Sequence, residues 1–336
     1  MFIDAFWKTR TFYDDCSFAP IFLEKILICY VNILLYMSDA KSKTIIIGNF
    51  DGVHLGHQKL IRLAKQISRD SKTQLILITF RPHPREIILN KKIDLLLPYS
   101  EKIKLLKKIG VNEIDEIEFN LQISKLDPKA FIDEFLIKRH KPQNIIVGKN
   151  FKFGFKASGD VKMLTNFGSS KYKVYPVDMV QIANQRISST SIKSLLSSGN
   201  VEEARKCLGR YYFMSGKVVK GEQRGREIGF PTANLQTDWN FIPKNGVYVT
   251  YINHKRKKFQ GITNMGIRPT FGKKDLMIES HIFDFNDSIY GDEIKLEFVK
   301  RIRSEKKFDT VNELIENIKK DVKYAKRTFL KDNENN

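Results

Sequence analysis

Cysteine is scarce. The 336-residue chain has three, Cys16, Cys29 and Cys207, with no C-x-x-C spacing, and an odd number cannot all pair. A disulfide framework is excluded, and reduced thiols in a cytoplasmic setting are expected. Long apolar runs are lacking too. Residues 21–37 are broken by Glu24, Lys25 and Asn32, and the cleaner part, 26–37, is 12 residues, where a membrane-spanning helix needs about 20. A basic start and a small-residue cleavage site, the marks of a secretory signal, are also missing. No internal repeat is present. Residues 1–37 are unlike the rest and read as an extension; translation is expected to begin at Met37, with an ordered extension as the alternative.

Apolar material is ample: 42% hydrophobic residues and 24 Phe can fill globular cores, and the length suits two domains. The formal net charge of +20 attracts polyanions. Lys and Arg are spread along the chain instead of forming one stripe, which speaks against nucleic acid; small polyanions such as nucleotides and pyrophosphate would suit the same field, and charge alone decides little.

From residue 43 to 198 the segments alternate. Residues 44–48 and 74–80 are apolar and β-branched, 113–119 alternate, and 144–148 and 171–177 form further strands. Helical spacing runs over 99–109 through Ile103, Leu105 and Leu106, and Pro128 opens another helix through Phe131, Phe135 and Leu136. This alternation predicts a parallel doubly wound sheet. After residue 209, apolar–polar alternation in 212–220, 246–252, 259–265, 278–285 and 293–299 predicts a small β-barrel. Residues 310–331 close the chain as a helix with Val311, Leu314, Ile315 and Ile318 on one face.

Residues 45–58, Ile45-Ile46-Ile47-Gly48-Asn49-Phe50-Asp51-Gly52-Val53-His54-Leu55-Gly56-His57-Gln58, join an apolar strand to a glycine-punctuated loop. Helical spacing through Leu60, Ile61, Leu63, Ala64 and Ile67 follows, so a helix starts near His57. Such a unit aims backbone N–H groups and a positive helix end at a phosphate, with both histidines at the mouth. Two histidines without nearby cysteines are too few for a closed zinc site. The pattern G-x-F-D-G-x-H-x-G-H resembles the nucleotidyltransferase motif of the bacterial bifunctional riboflavin kinase/FAD synthetase family, whose histidines bind ATP phosphates during adenylyl transfer. The resemblance implies catalytic roles for His54 and His57 and phosphate contacts at Gly48, Asn49, Phe50, Asp51 and Gly56.

Three further segments resemble the same family. They are Thr79-Phe80-Arg81-Pro82-His83-Pro84-Arg85-Glu86, Val147-Gly148-Lys149-Asn150-Phe151-Lys152-Phe153-Gly154 and Ile187-Ser188-Ser189-Thr190-Ser191-Ile192-Lys193. They imply flavin contacts at Pro82, His83, Pro84 and Asn150, and phosphate contacts at Ser188, Ser189, Thr190 and Lys193. The family usually has Arg where Lys193 stands; lysine keeps the charge without the bidentate fork, so weaker neutralisation of pyrophosphate is expected. In the implied reaction the FMN phosphate attacks the α-phosphorus of ATP. That nucleophile is already an oxyanion, so positioning and charge neutralisation suffice without a general base.

The β-rich half carries Gly221-Glu222-Gln223-Arg224-Gly225-Arg226-Glu227-Ile228-Gly229-Phe230-Pro231-Thr232-Ala233-Asn234-Leu235, which is neither a Walker loop nor a protein-kinase glycine loop. It resembles the riboflavin kinase motif ending in G-F-P-T-A-N. The resemblance implies ATP contacts at Gly221, Gly229, Pro231, Thr232 and Asn234, with Thr232 and Asn234 ligating Mg²⁺. Two apart on an extended segment, they point to one face. Segments 246–248, 264–271, 279–285 and 290–291 also match, and Glu279 falls at the family's catalytic-base position. A base is useful there because the nucleophile is a neutral hydroxyl. Arg303, in Arg301-Ile302-Arg303-Ser304-Glu305-Lys306-Lys307-Phe308, is implied to contact the flavin nucleotide, and His281 is expected to be a structural strand residue.

The resemblance covers residues 43–325. It implies an α/β Rossmann-like nucleotidyltransferase domain at 38–207, then a mostly β six-stranded antiparallel barrel with a C-terminal helix at 208–331, and a tail at 332–336. The implied enzyme phosphorylates riboflavin with ATP to FMN and adenylylates FMN to FAD, using Mg²⁺. It is expected in the cytoplasm as a monomer or weak homo-oligomer, with no nucleic-acid or membrane partner. Two alternatives remain open: a monofunctional riboflavin kinase whose first domain only binds flavin or nucleotide, and a basic nucleic-acid-binding protein on an old enzyme scaffold.

Overall fold

Lys43–Ile47 (β1) is rich in isoleucine because both of its faces are covered. In the computed structural model, which describes residues 42–336 apart from 183–184, 271–272 and 335–336, it is the middle strand of a five-stranded sheet. The extension 1–37, its Met37 start, and Phe271 lie outside the described residues. Gln74–Arg81 (β2) and Pro142–Gly148 (β4) flank β1, with Glu113–Glu118 (β3) and Lys173–Val177 (β5) outermost; all pairs are parallel, in the order β3-β2-β1-β4-β5. Ile45 and Ile47 face a core with Phe131 and Leu136, whereas Ile46 faces the opposite core with Ile61 and Leu97. Strand order reverses between β1 and β4, where doubly wound sheets open a ligand crevice at the carboxyl ends.

Leu55–Asp70 (α1) begins two residues before the position the spacing predicted. His54 is its N-cap, with Nδ1 accepting the His57 N–H at 3.4 Å. Pro84–Leu89 (α2) and Tyr99–Lys108 (α3) follow. The helix opened by Pro128 is α-helical only to Phe131 and widens to a π-helix over Ile132–Lys138. Ser189–Ser198 (α4) and Val201–Leu208 (α5) lead to the second half.

That half is a closed antiparallel barrel as expected. Its strands are Tyr212–Val219 (β6), Ala233–Gln236 (β7), Gly246–His254 (β8), Lys257–Thr270 (β9), Lys273–Ile282 (β10) and Glu293–Arg303 (β11), in the order β6-β7-β10-β9-β8-β11. Closure leaves no unpaired edge. Tyr212, Met214, Tyr248, Leu296 and Phe298 are fully or almost fully buried, and they join Ile46, Leu96 and Leu208 in one apolar cluster that runs through both halves.

The C-terminal helix, Val311–Glu334 (α6), keeps the predicted face at Leu314, Ile315 and Ile318, which are half-buried, and carries it further toward the C-terminus. Ile318, Val322, Ala325 and Phe329 pack on the barrel, while Val311 is 59% exposed. It also runs through residues expected as a tail, because Asp332 anchors it: the carboxylate accepts from Arg205 Nη1 at 2.7 Å, Tyr251 OH at 3.0 Å and Tyr211 OH. Among the described residues no helix is long and apolar enough to cross a membrane.

Candidate active sites

The loop leaving β1 is built on left-handed backbone: φ is +53° at Phe50, +77° at Gly52 and +42° at Val53. At Gly52 a Cβ would also lie 2.6 Å from the Leu96 side chain. Gly56 leaves room for the His54 ring, which would sit 3.1 Å from a Cβ there. His54 and His57 consequently stack, with ring centroids 3.7 Å apart and planes 17° from parallel. Burial pushes the His54 pKa down to about 4 and that of His57 well below its ordinary value, and the Arg210 cation adds to both shifts. The pair is therefore neutral at physiological pH and offers hydrogen bonds instead of charge. His57 Nδ1 and Asn49 Oδ1 are buried with no partner among the described residues, the condition of groups shaped for a ligand.

A cavity of about 440 Å³ in front of this loop gathers the four separated segments. Gly48, Asn49, Phe50, Asp51, His54, Gly56 and His57 line it from the first, His83 from the second, Asn150 from the third, and Ser188, Ser189, Thr190 and Lys193 from the fourth. The N-termini of α1 and α4 both meet it, bringing two positive helix ends to one space. Pro82 and Pro84 are not among the lining residues; Pro84 starts α2, and His83 caps that helix by accepting the Arg85 N–H at 3.2 Å.

Several expected phosphate ligands are already engaged. Lys193 Nζ lies 3.0 Å from Asp51 Oδ2, whose Oδ1 accepts the Leu96 N–H at 2.8 Å. Burial pushes the Asp51 carboxyl up and Lys193 pulls it back. Ser188 Oγ accepts the Ser191 N–H at 3.1 Å, and Ser189 Oγ donates to Asp51 O at 2.9 Å. Sequence reasoning missed other cations. Arg85, Lys152 and Arg186 also line the cavity, and Arg85 and Lys152 stood inside quoted segments. Lys102 is buried behind the loop, donating to Thr79 Oγ1 at 3.0 Å and Asn49 O at 3.3 Å, and burial lowers its pKa to about 8. Its signal was a lysine on the apolar stripe of a predicted helix.

In the barrel, β7 and β10 pair Asn234 with Glu279, and β9 adds Asn264 on the other side of Glu279. Two cavities meet here. One, of about 320 Å³, is lined by Thr232, Asn264, Glu279, His281 and Arg303 with apolar Val247, Ile262 and Phe308; the other, of about 360 Å³, by Gly221, Pro231, Thr232, Asn234 and Tyr290 among others. Thr232 borders both. A Cβ at Gly221 would lie 2.2 Å from Asn234 Nδ2, so glycine lets the loop close over that amide. Gly229 lines neither cavity and instead turns the chain at φ +84°. His281, besides lining the first cavity, has Nδ1 donating to Pro231 O at 2.9 Å, which holds the segment before Thr232. Arg303 lines the cavity, but its guanidinium is committed to α6, with Nε 3.1 Å from Asp321 Oδ1 and Nη2 2.7 Å from Oδ2.

The described residues contain no group of three or more His, Cys, Asp or Glu arranged to hold a metal. The Thr232 hydroxyl and Asn234 amide oxygen are hard donors that fit Mg²⁺ when phosphate oxygens and water complete the shell.

A sequence model of the FAD synthetase family matches residues 37–191, and one of riboflavin kinase matches residues 208–329. A bifunctional riboflavin kinase/FMN adenylyltransferase from Bacillus subtilis is 38% identical over 313 residues, covering 91% of this chain and 98% of the relative. The protein of the same description from Escherichia coli K12 is 32% identical over 286 residues, 84% of this chain and 91% of the relative. A crystal structure described as a macrolide-efflux protein from Streptococcus pneumoniae is 32% identical with a TM-score of 0.79, covering 85% of this chain and 94% of that one.

Proposed function

This chain belongs to the bifunctional riboflavin kinase/FMN adenylyltransferase family, and from that premise we propose how its own residues divide the two reactions. The enzyme phosphorylates riboflavin with ATP to give FMN, and joins FMN to the adenylyl group of a second ATP to give FAD and pyrophosphate. The domains divide at residues 207–208, at the C-terminal end of α5 just ahead of β6, with the second carried to the end of α6.

For FMN formation, the flavin occupies the cavity bordered by Glu279 and the nucleotide the one bordered by Asn234. The observation that carries this reading is Thr232, which lines both spaces. The Glu279 carboxylate accepts the proton of the attacking hydroxyl. Thr232 and Asn234 would hold Mg²⁺, which would supply charge neutralisation there. For FAD formation, neutral His54 and His57 donate hydrogen bonds to ATP phosphate oxygens, and two helix N-termini and Lys193 offset the remaining charge. His83 and Asn150 face the flavin nucleotide.

We place the enzyme in the cytoplasm as a monomer or weak homo-oligomer, without a nucleic-acid partner; the dispersed charge supports the last point. Chromatography of flavins after incubation of the full chain with riboflavin, ATP and Mg²⁺ tests the main reading. FMN followed by FAD is expected. FMN alone would favour the monofunctional kinase, and no flavin product would overturn the residue assignments at both sites.

A further inference from the structure

The histidine loop of the α/β half is held by a residue from the other half. Arg210 lies within the segment matched by riboflavin kinase, just ahead of β6. Its guanidinium reaches back to the first domain: Nη2 donates to Gly52 O at 2.7 Å, and Nη1 to Val53 O at 3.2 Å and Leu208 O at 3.3 Å. Gln58 of α1 closes the same ring, its Nε2 donating to Val53 O at 3.0 Å and Leu208 O at 2.9 Å.

The two clamped loop carbonyls belong to residues at φ +77° and +42°. For Val53, a β-branched residue, that backbone is costly and persists only where the surroundings hold it. The next residue is His54. A second tie runs beside the first. Leu96, whose N–H fixes Asp51, gives its carbonyl to Trp239 Nε1 at 3.2 Å and Tyr212 OH at 3.3 Å, both barrel residues. Arg210 lines neither barrel cavity nor the cavity before the histidines, so it acts through the backbone and not on a ligand.

We propose that Arg210 is a positioning residue for adenylyl transfer: by holding the Gly52–Val53 turn it sets His54 and His57, so FAD formation depends on a barrel-side residue that FMN formation does not use. This rests on the reading of His54 and His57 given above. A lysine at 210 would keep the charge, but one ammonium lacks the planar fork that spans both carbonyls.

The test uses the full-length chain with Arg210→Ala and Arg210→Lys, assaying FMN formation from riboflavin and FAD formation from supplied FMN separately. FAD formation is expected to fall at least tenfold in Arg210→Ala and less in Arg210→Lys, while FMN formation stays within twofold. Millimolar guanidinium ion is expected to restore part of the lost activity in Arg210→Ala, a response that general loosening would not give. Unchanged FAD formation, parallel loss of both activities, or a selective loss that neither lysine nor guanidinium relieves would each overturn the proposal. His57→Ala, run alongside, separates the two layers. If it spares FAD formation, the site assignment fails; if it abolishes FAD formation while Arg210→Ala does not, only the role of Arg210 falls.

Discussion

Asn234 and Glu279 are direct partners across the antiparallel pairing of β7 with β10, yet they border different cavities. Cross-strand partners share a face with Cβ atoms about 5 Å apart, so the seam between the two spaces runs between an amide and a carboxylate. A hydroxyl on one side and a γ-phosphate on the other would meet there, beside Thr232. Glu279→Gln preserves shape and removes the proton acceptor. FMN formation should fall by roughly 10²- to 10⁴-fold, with FAD formation from supplied FMN unchanged. Separate assays of the two reactions check this, and an undiminished kinase rate would strip Glu279 of its role.

His57→Ala should produce the opposite pattern. Loss of a preorganised donor to the reacting phosphate costs roughly 10²- to 10³-fold, so FMN should accumulate from riboflavin while FAD does not form. Time courses resolved by chromatography read both species at once.

Burial sets the pH behaviour of the same loop. His54 is held at about 4, below its ordinary 6.5, so the unfolded chain binds more protons between those values. Stability should therefore decline as pH falls through that window, and the contribution is fully present above it. His54→Asn should flatten this part of the plot of Tm against pH. An unchanged slope would show that the ring is solvated.

Much of this was legible in the sequence because the informative residues are local. The strand–loop–helix of residues 45–58 and the loop of 221–235 announce themselves by glycine placement and the residue types within one segment. What escaped depends on contacts far apart in the chain. Nothing near Arg210 in sequence shows that its guanidinium spans back to Gly52 and Val53. The early start of α1 was missed because His54 is an uncommon N-cap, and Ser, Thr, Asp and Asn are the usual signals. The buried stripe of α6 runs further than predicted because Leu314 and Ile318 border the cavity beside Glu279, while the barrel contact begins at Ile318 and runs toward Phe329.

Lys193 and Asp51 form an ion pair in which the carboxylate is 8% exposed and the lysine 26%. Removing the cation leaves a buried carboxylate with one backbone hydrogen bond. Lys193→Met should cost about 1–3 kcal/mol, less than for a fully buried pair because the lysine is partly solvated, and should depress FAD formation. Lys193→Arg should restore both stability and rate. Urea unfolding and the FAD assay distinguish this from a role confined to pyrophosphate, in which activity would fall without loss of stability.

Arg303 and Asp321 offer a cleaner separation of structure from substrate contact. Asp321 is 6% exposed on α6 and takes two guanidinium nitrogens of Arg303 at the end of β11. Arg303→Ala strands the buried carboxylate, whereas the Arg303→Ala/Asp321→Ala double variant removes both charges. A coupling of roughly 0.5–3 kcal/mol is expected in the cycle, with the double variant less destabilised than the sum of the single ones. Because Asp321 aims the guanidinium along the wall of the cavity we assign to flavin, both single variants should raise the KM for riboflavin. Should Asp321→Ala leave that KM untouched while Arg303→Ala raises it, the guanidinium would reach the flavin without guidance from α6, and the pair would be a brace for the helix alone.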